Sequence, residues 1–222
     1  MLNLIFIVIL SYLVGAIPTS IILSKLVKGI DIRNYGSGNA GGSNVFRVLG
    51  WKWGVLTILF DALKGAVAVI VVARLYLDNF PFHNITPFDD FTLVQIICGV
   101  SAVLGHVWTV FAGFRGGKGI ATGLGVLITI TTLDMAIALG VFVLVVTLSR
   151  YISLGSLIAA ISVPLILIVR ENIFGVDIPG YHTILPFSIL LALLVIFTHR
   201  ANIDRLLKGN ERKISFVKKK SN

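Results

Sequence analysis

The chain has 222 residues, 56% of them hydrophobic and only 13% charged, with a mean hydropathy of +0.96. A soluble domain of this length carries far more charged surface, so the composition excludes that class and indicates a polytopic membrane protein. The net charge of +9 raises nucleic acid as a partner, and the single cysteine, Cys98, excludes an intramolecular disulfide and points to no redox compartment.

A bilayer core is about 30 Å thick, so a spanning helix needs about 20 apolar residues, fewer where flanking side chains snorkel. Seven apolar segments follow one another: Leu2–Ser24, Trp53–Leu77, Phe91–Ala112, Ile120–Leu133, Met135–Ser149, Leu154–Val169 and Ile184–Thr198. They predict an all-α protein, a single transmembrane domain over 1–222 with seven spans, the fourth and fifth meeting near Asp134, with five or six spans as the alternatives. The first segment lacks a basic start and runs apolar for too long, and Lys25 and Lys28 follow it, so it reads as an uncleaved anchor.

With the N-terminus outside, the loops at 25–52, 113–119 and 150–153 and the tail 199–222 share one side. They hold sixteen of the nineteen Lys and Arg, whereas Asp78, Asp89, Asp90, Asp134, Glu171 and Asp177 collect on the other side. The positive-inside rule makes the basic side, and the C-terminus, cytoplasmic. The positive charge therefore follows membrane topology, and the "KKK" run at 218–220 meets anionic headgroups rather than nucleic acid.

Three polar stretches fall on that side. The first, "NYGSGNAGGSNVFR" at 34–47, contains G-x-G-x-x-G (Gly36, Gly38, Gly41), with Asp61 twenty residues past the last glycine. A dinucleotide site needs a preceding strand and a soluble βαβ unit; an apolar span precedes this loop and Asp61 lies inside the next one, so that reading fails. The glycines still let backbone N–H groups converge on one point. Ser37, Asn39, Ser43 and Asn44 add neutral hydrogen-bonding groups, and Arg47 adds a planar fork suited to phosphate.

The second stretch, "GFRGGKGIATGLG" at 113–125, is similar to a Walker A loop but has Gly119 after Lys118, where Ser or Thr would hold magnesium. What remains is Arg115 and Lys118 among Gly116, Gly117 and Gly119, before a helix predicted to start near Ile120. Free N–H groups at such a terminus favour an anion. In the third stretch, "HRANIDRLLKGNERK" at 199–213, His199 and Asn202 share a face if the last helix continues into the cytosol. Arg200, Arg205 and Lys208 read as headgroup contacts, with Glu211 as a brace for a cation. The plainer alternative for all three is a polar cytoplasmic linker.

Asp61 and Lys64 sit one turn apart inside the second span, where unpaired charge is costly. An internal pair, or bonds to polar groups of neighbouring spans, is the expectation. His106 near the cytoplasmic end of the third span is open to either a structural or a site role. Ser153 and Ser156 in "YISLGS" complete a candidate polar pocket.

"GSGNAGGSNVFR", "GGKGIAT" and "HRANIDRLLKGNE" resemble the three motifs of the acyl-phosphate-dependent glycerol-3-phosphate acyltransferases of the bacterial PlsY type, and "FDALKG" is also similar to members of that family. The likeness covers essentially the whole chain, with Ala40 where proline is common and Ser43 where threonine is common. It implies transfer of a long-chain acyl group from acyl phosphate to the 1-hydroxyl of glycerol 3-phosphate, at the cytoplasmic face of a bacterial plasma membrane. It implies no cofactor and no metal; the partners are the two substrates, membrane lipids and the enzyme that makes acyl phosphate.

In that scheme Lys118 and Arg47, helped by Ser37, hold the acceptor phosphate. Backbone N–H groups of the 36–42 loop hold the donor head, and His199 and Asn202 orient the attacking hydroxyl. Asn39, Asn44, Ser153, Ser156 and Glu211, with Gly36, Gly38, Gly41, Gly116, Gly117 and Gly119, surround the substrates. Ser37 as a covalent nucleophile is the mechanistic alternative, though no base neighbours it in sequence. A transporter or flippase for a phosphorylated molecule, or a scaffold for soluble lipid enzymes, is the functional alternative.

Overall fold

The computed structural model describes residues 2–77, 83–86, 88 and 90–214; Asp78, Asp89 and the lysines at 218–220 lie outside them. The described residues form ten α-helices and no strand. The first apolar segment is two helices, α1 (Leu2–Ala16) and α2 (Thr19–Lys28), not one continuous span ending at Ser24. Pro18 has no N–H to continue the ladder. At the break the carbonyls that end α1 gain donors from other helices, as hydrocarbon requires: Lys64 Nζ donates to Ile17 O (2.9 Å), which also accepts Thr19 N (3.0 Å), and the Thr109 hydroxyl donates to Ala16 O.

After the short α3 (Gly42–Leu49) come α4 (Trp51–Ile70), α5 (Asp90–Val107), α6 (Ile120–Ile130), α7 (Thr132–Ser149), α8 (Ile152–Ile168), α9 (Tyr181–Thr198) and α10 (Arg200–Leu207). Among the described residues, six helical stretches are long and apolar enough to cross a membrane: Leu2–Lys28, Trp51–Leu75, Asp90–Ala112, Thr132–Ser149, Ile152–Ile173 and Tyr181–Thr198. α6, with 11 residues, reaches only about 16 Å at 1.5 Å per residue, shorter than the segment to Leu133 that hydropathy suggests. It stops because Thr131 leaves helical geometry (φ −133°, ψ 67°). The Thr131 and Thr132 hydroxyls bond back to Leu127 O and Ile128 O (3.2 and 2.9 Å), a habit that bends or ends helices. The turn therefore precedes Asp134, which lies in the first turn of α7. Pro164 and Pro186 lie inside α8 and α9.

Among the spanning segments, helices touch backbone to backbone at glycines. A Cβ at Gly15 would strike the Ala102 backbone and one at Gly105 the Tyr12 carbonyl, closing α1 on α5; Gly65 and Gly125 do the same for α4 and α6 against Thr122 and Ala62. Without a hydrophobic drive in lipid, such close packing carries the association. A second layer packs α7 on α8 and α8 on α9. Asp134 pairs with Arg170 (2.7 Å) where α7 begins and α8 ends. At the opposite end Ile214 N donates to Arg150 O (2.9 Å), and Lys118 lies beside Thr198. α6 and α7 thus run out and back between the two ends, and a cleft opens between the layers.

Candidate active site

The first loop is built around a buried asparagine. Asn44 is 1% exposed; its Nδ2 donates to Ile32 O, Tyr35 O and Asn39 O (3.0, 2.9 and 3.0 Å), and its Oδ1 accepts Ser37 N (2.8 Å). Its polar atoms are spent shaping the loop, so it acts on any ligand only through that shape. Gly36 and Gly38 take positive φ (61° and 74°), which L side chains avoid. The loop ends at the N-terminus of α3, where Gly41 supplies no side-chain cap. The first N–H groups of that helix, from Gly42 and Ser43, take no partner among the described residues, and both residues border the cleft; such groups favour an anion. One turn on, Arg47 reaches Arg212 O with Nη2 (3.5 Å), while its Nε is buried and unbonded.

In the second loop Gly116 N donates to Val107 O (3.1 Å) and Gly117 N to His106 O (3.0 Å). A Cβ on Gly116 would strike His106 O, and one on Gly117 the imidazole of His106. These two glycines are present for close packing on the end of α5, and their N–H groups are not free for an anion. Gly119, at φ 84°, starts α6 at Ile120, the predicted start. Arg115 is exposed and lies outside the cleft. Lys118 points inward and donates to Asn202 Oδ1.

The last span does not continue as one straight helix: the chain turns at His199 between α9 and α10. His199 and Asn202, 3% and 4% exposed, still sit together through Asn202 N→His199 O (2.7 Å). Since a carbonyl only accepts, the 2.9 Å contact of His199 Nδ1 with Val195 O places the proton on Nδ1. Burial, then the nearby Lys118 charge, lowers the His199 pKa to about 4, so the ring is neutral at pH 7 and its Nε2 is an acceptor. Asn202 Nδ2 and Ser153 Oγ both donate to Glu211 Oε1 (2.7 and 2.8 Å), and Arg205 Nε binds Oε2 (2.7 Å). Burial pushes the Glu211 carboxyl up, and the hydrogen bonds from Arg205, Asn202 and Ser153 together hold it below its ordinary value. Both its oxygens are engaged, so Glu211 braces the site.

Lys118 is lowered to about 8 by burial and then by Arg205, with Glu211 opposing and Arg47 adding to the shift. Burial likewise lowers Arg47. Among the described residues neither cation has a carboxylate within ion-pair distance, since Glu211 is taken by Arg205. The site therefore carries uncompensated positive charge.

Two hollows share this region. The larger, about 380 Å³, is bordered at its polar end by Ser37, Asn39, Gly41, Asn44, Arg47, Lys118, Gly119, Ser153, Ser156, His199 and Asn202. It continues between the helix layers along Leu127, Met135, Ala138, Phe142, Ala159, Ala160, Val163 and Ala192. From Ser153 to Val163 on α8 this is about 15 Å at 1.5 Å per residue. The smaller, about 120 Å³, lies among Gly36, Ser37, Arg47, Arg205, Glu211 and Arg212. Gly38, Gly116 and Gly117 border neither. The apolar wall is absent from the sequence reading; its only trace there is alanine at 138, 159, 160 and 192 within otherwise bulky spans.

A sequence model described as glycerol-3-phosphate acyltransferase matches residues 5–209. The chain belongs to the glycerol-3-phosphate acyltransferase family. Within that family it is 47% identical to the glycerol-3-phosphate acyltransferase of Chlorobium chlorochromatii (strain CaD3), covering 98% of this chain and 100% of the relative. It is 45% identical to that of Chlorobaculum tepidum, covering 99% and 100%. The crystal structure of PlsY, an integral membrane glycerol 3-phosphate acyltransferase, in its glycerol 3-phosphate form superposes with a TM-score of 0.78 at 38% identity over 96% of each chain. The lysophosphatidic acid form gives 0.76 at 37% identity, covering 96% of this chain and 95% of that one. Family membership and the long apolar helices make this a multi-pass membrane protein.

Proposed function

We propose that this protein transfers an acyl group to the 1-hydroxyl of glycerol 3-phosphate, with acyl phosphate as the donor and lysophosphatidic acid and phosphate as products. The observation that carries this reading is a polar mouth with two cations lacking carboxylates, continuous with an apolar cleft about 15 Å deep. One end suits phosphate and the other an acyl chain. The relatives named above are glycerol-3-phosphate acyltransferases, which supports the acceptor; uncompensated positive charge in the same mouth supports a second phosphate and so an acyl-phosphate donor.

Lys118 and Arg47 hold the acceptor phosphate, and the smaller hollow gives it a basic approach from water. The free N–H groups at the start of α3 hold the donor head while its tail lies in the cleft. His199 Nε2 accepts a hydrogen bond from the attacking hydroxyl. Asn202, braced by Glu211 and Ser153, keeps Lys118 turned toward the mouth. The hydroxyl oxygen bonds to the acyl carbon, the acyl–phosphate bond breaks, and the hydroxyl proton ends on the released phosphate. Transfer is direct: the Ser37 hydroxyl has no histidine or carboxylate partner among the described residues. Ser156, whose hydroxyl likewise has no hydrogen-bond partner among the described residues, borders the cleft beside Ser153.

In this reading α6 and α7 together make the fourth and fifth of seven crossings in one domain over 1–222. The N-terminus is outside, and the site and C-terminus face the cytoplasm of a bacterial cell. The site's place at one end of the bundle argues against a transporter, whose site lies near the midplane. The test is turnover by detergent-purified protein with acyl phosphate, acyl-CoA or acyl carrier protein as donor. Phosphate and lysophosphatidic acid formed one for one, from acyl phosphate alone, is the expected result; use of a thioester donor instead, or no transfer, would overturn the proposal.

A further inference from the structure

The "FDALKG" segment contains two ionisable residues that the reaction above does not use. Asp61 and Lys64 on α4 are 2% and 6% exposed, as is His106 on α5 at 6%. Such groups are expensive in a membrane interior, and an apolar replacement for a buried pair is often no less stable. Their arrangement has a direction. Lys64 Nζ forms an ion pair with Asp61 Oδ1 (2.9 Å) and donates to the Ile17 carbonyl at the break between α1 and α2 (2.9 Å). Asp61 Oδ1 faces His106 Nδ1 at 3.6 Å, a charge–dipole contact beyond direct hydrogen-bond length. On the far side of the ring, Nε2 occupies the space that a Cβ on Gly117 would need, and His106 O accepts Gly117 N (3.0 Å). The next residue is Lys118, whose carbonyl accepts Thr198 Oγ1 from the other side (3.1 Å).

We propose that Asp61, Lys64 and His106 form a buried post that positions Lys118. The ring is a plate pressed on the bare Cα of Gly117; Asp61 sets its angle, and Lys64 ties Asp61 to the broken first span. The three are positioning residues for the phosphate that Lys118 binds, and this rests on the role given to Lys118 above. A wall that served packing alone would need neither a charge behind the ring nor a glycine in front of it.

The test uses the detergent-purified full chain with Gly117→Ala, His106→Ala and the double variant. Gly117→Ala leaves every buried charge paired, so its effect reads position rather than lost charge. Each single variant should raise KM for glycerol 3-phosphate about tenfold or more, as small misplacements of binding groups do, with KM for acyl phosphate little changed. The double variant should recover most of the loss, because the alanine methyl enters the space the ring leaves, a coupling between neighbours that a cycle isolates. Inorganic phosphate, titrated by its protection against thermal unfolding, should follow the same order. That titration reads Lys118 whether or not wild type transfers acyl groups, so failure of the post and failure of the functional reading are separate results. Wild-type phosphate binding in Gly117→Ala, parallel loss of both substrates, or no recovery in the double variant would overturn the post.

Discussion

Replacing Lys118 with methionine removes one positive charge from the mouth while keeping an unbranched stem, and leaves the backbone bond of Lys118 O with Thr198 in place. In wild type the ammonium is anchored on Asn202 Oδ1, and Asn202 is fixed in turn by Glu211. With Glu211 committed to Arg205 (2.7 Å), no carboxylate among the described residues is within ion-pair distance of Lys118 to compete with an incoming phosphate. Losing one partner of a desolvated charge pair costs about 2–5 kcal/mol. The partial burial of this lysine places it near the middle, about 3 kcal/mol, or roughly two powers of ten in kcat/KM at about 1.4 kcal/mol per tenfold. The assay is steady-state acyl transfer by the purified protein, varying each substrate with the other saturating. The loss should appear in KM for glycerol 3-phosphate, with acyl-phosphate KM little changed. A rise confined to acyl-phosphate KM would move Lys118 to the donor, and wild-type values for both would remove it from binding.

With Lys118 at about 8 from burial and the neighbouring Arg205, the phosphate-binding form is full below that pH. Free-enzyme kcat/KM for glycerol 3-phosphate should fall about tenfold per unit above it, and Lys118→Arg should abolish the falling limb in a pH–rate profile. His199, at about 4 through burial and Lys118, should contribute no limb between pH 5 and 8. Below about 4 its protonated Nε2 would no longer accept the hydroxyl, and turnover should drop there. Ala160→Phe should block the cleft about 10 Å beyond Ser153 at 1.5 Å per residue: kcat/KM for long-chain acyl phosphates should collapse. A donor whose tail ends short of residue 160 should be retained, as a chain-length series would show. Arg170→Ala leaves Asp134, 2% exposed, unpaired in its buried site. Thermal unfolding in detergent should register a loss of about 3–5 kcal/mol, with turnover of the folded fraction unchanged because the pair sits at the far end from the site.

Hydropathy and charge placed the helices and the three polar stretches on one face because both are local properties of the chain. What escaped depends on partners distant in sequence. The break at Pro18 lies inside one apolar segment, with only Thr19 and Ser20 beside it, and what stabilises it is supplied by the distant Lys64 and Thr109. α6 ends early through two threonine hydroxyls whose back-bonding leaves no mark in hydropathy. Asn44 has the chemistry of a ligand-binding side chain, yet turns inward because four backbone groups of its own loop need it. Gly116 and Gly117 look like an anion nest until the carbonyls of Val107 and His106 are seen to take their N–H groups. Asp61 and Lys64 were legible as an internal pair, because charge within a span demands a partner; their reach to His106 was not.

Direct transfer between two anions held in one pocket is tested most simply by rapid-quench measurement of phosphate release from acyl phosphate, with and without glycerol 3-phosphate. The account predicts no burst in the absence of acceptor, and release matched by lysophosphatidic acid from the first turnover when it is present. A burst equal to the enzyme concentration without acceptor would contradict it and place the acyl group on the protein, with Ser37 the residue to examine.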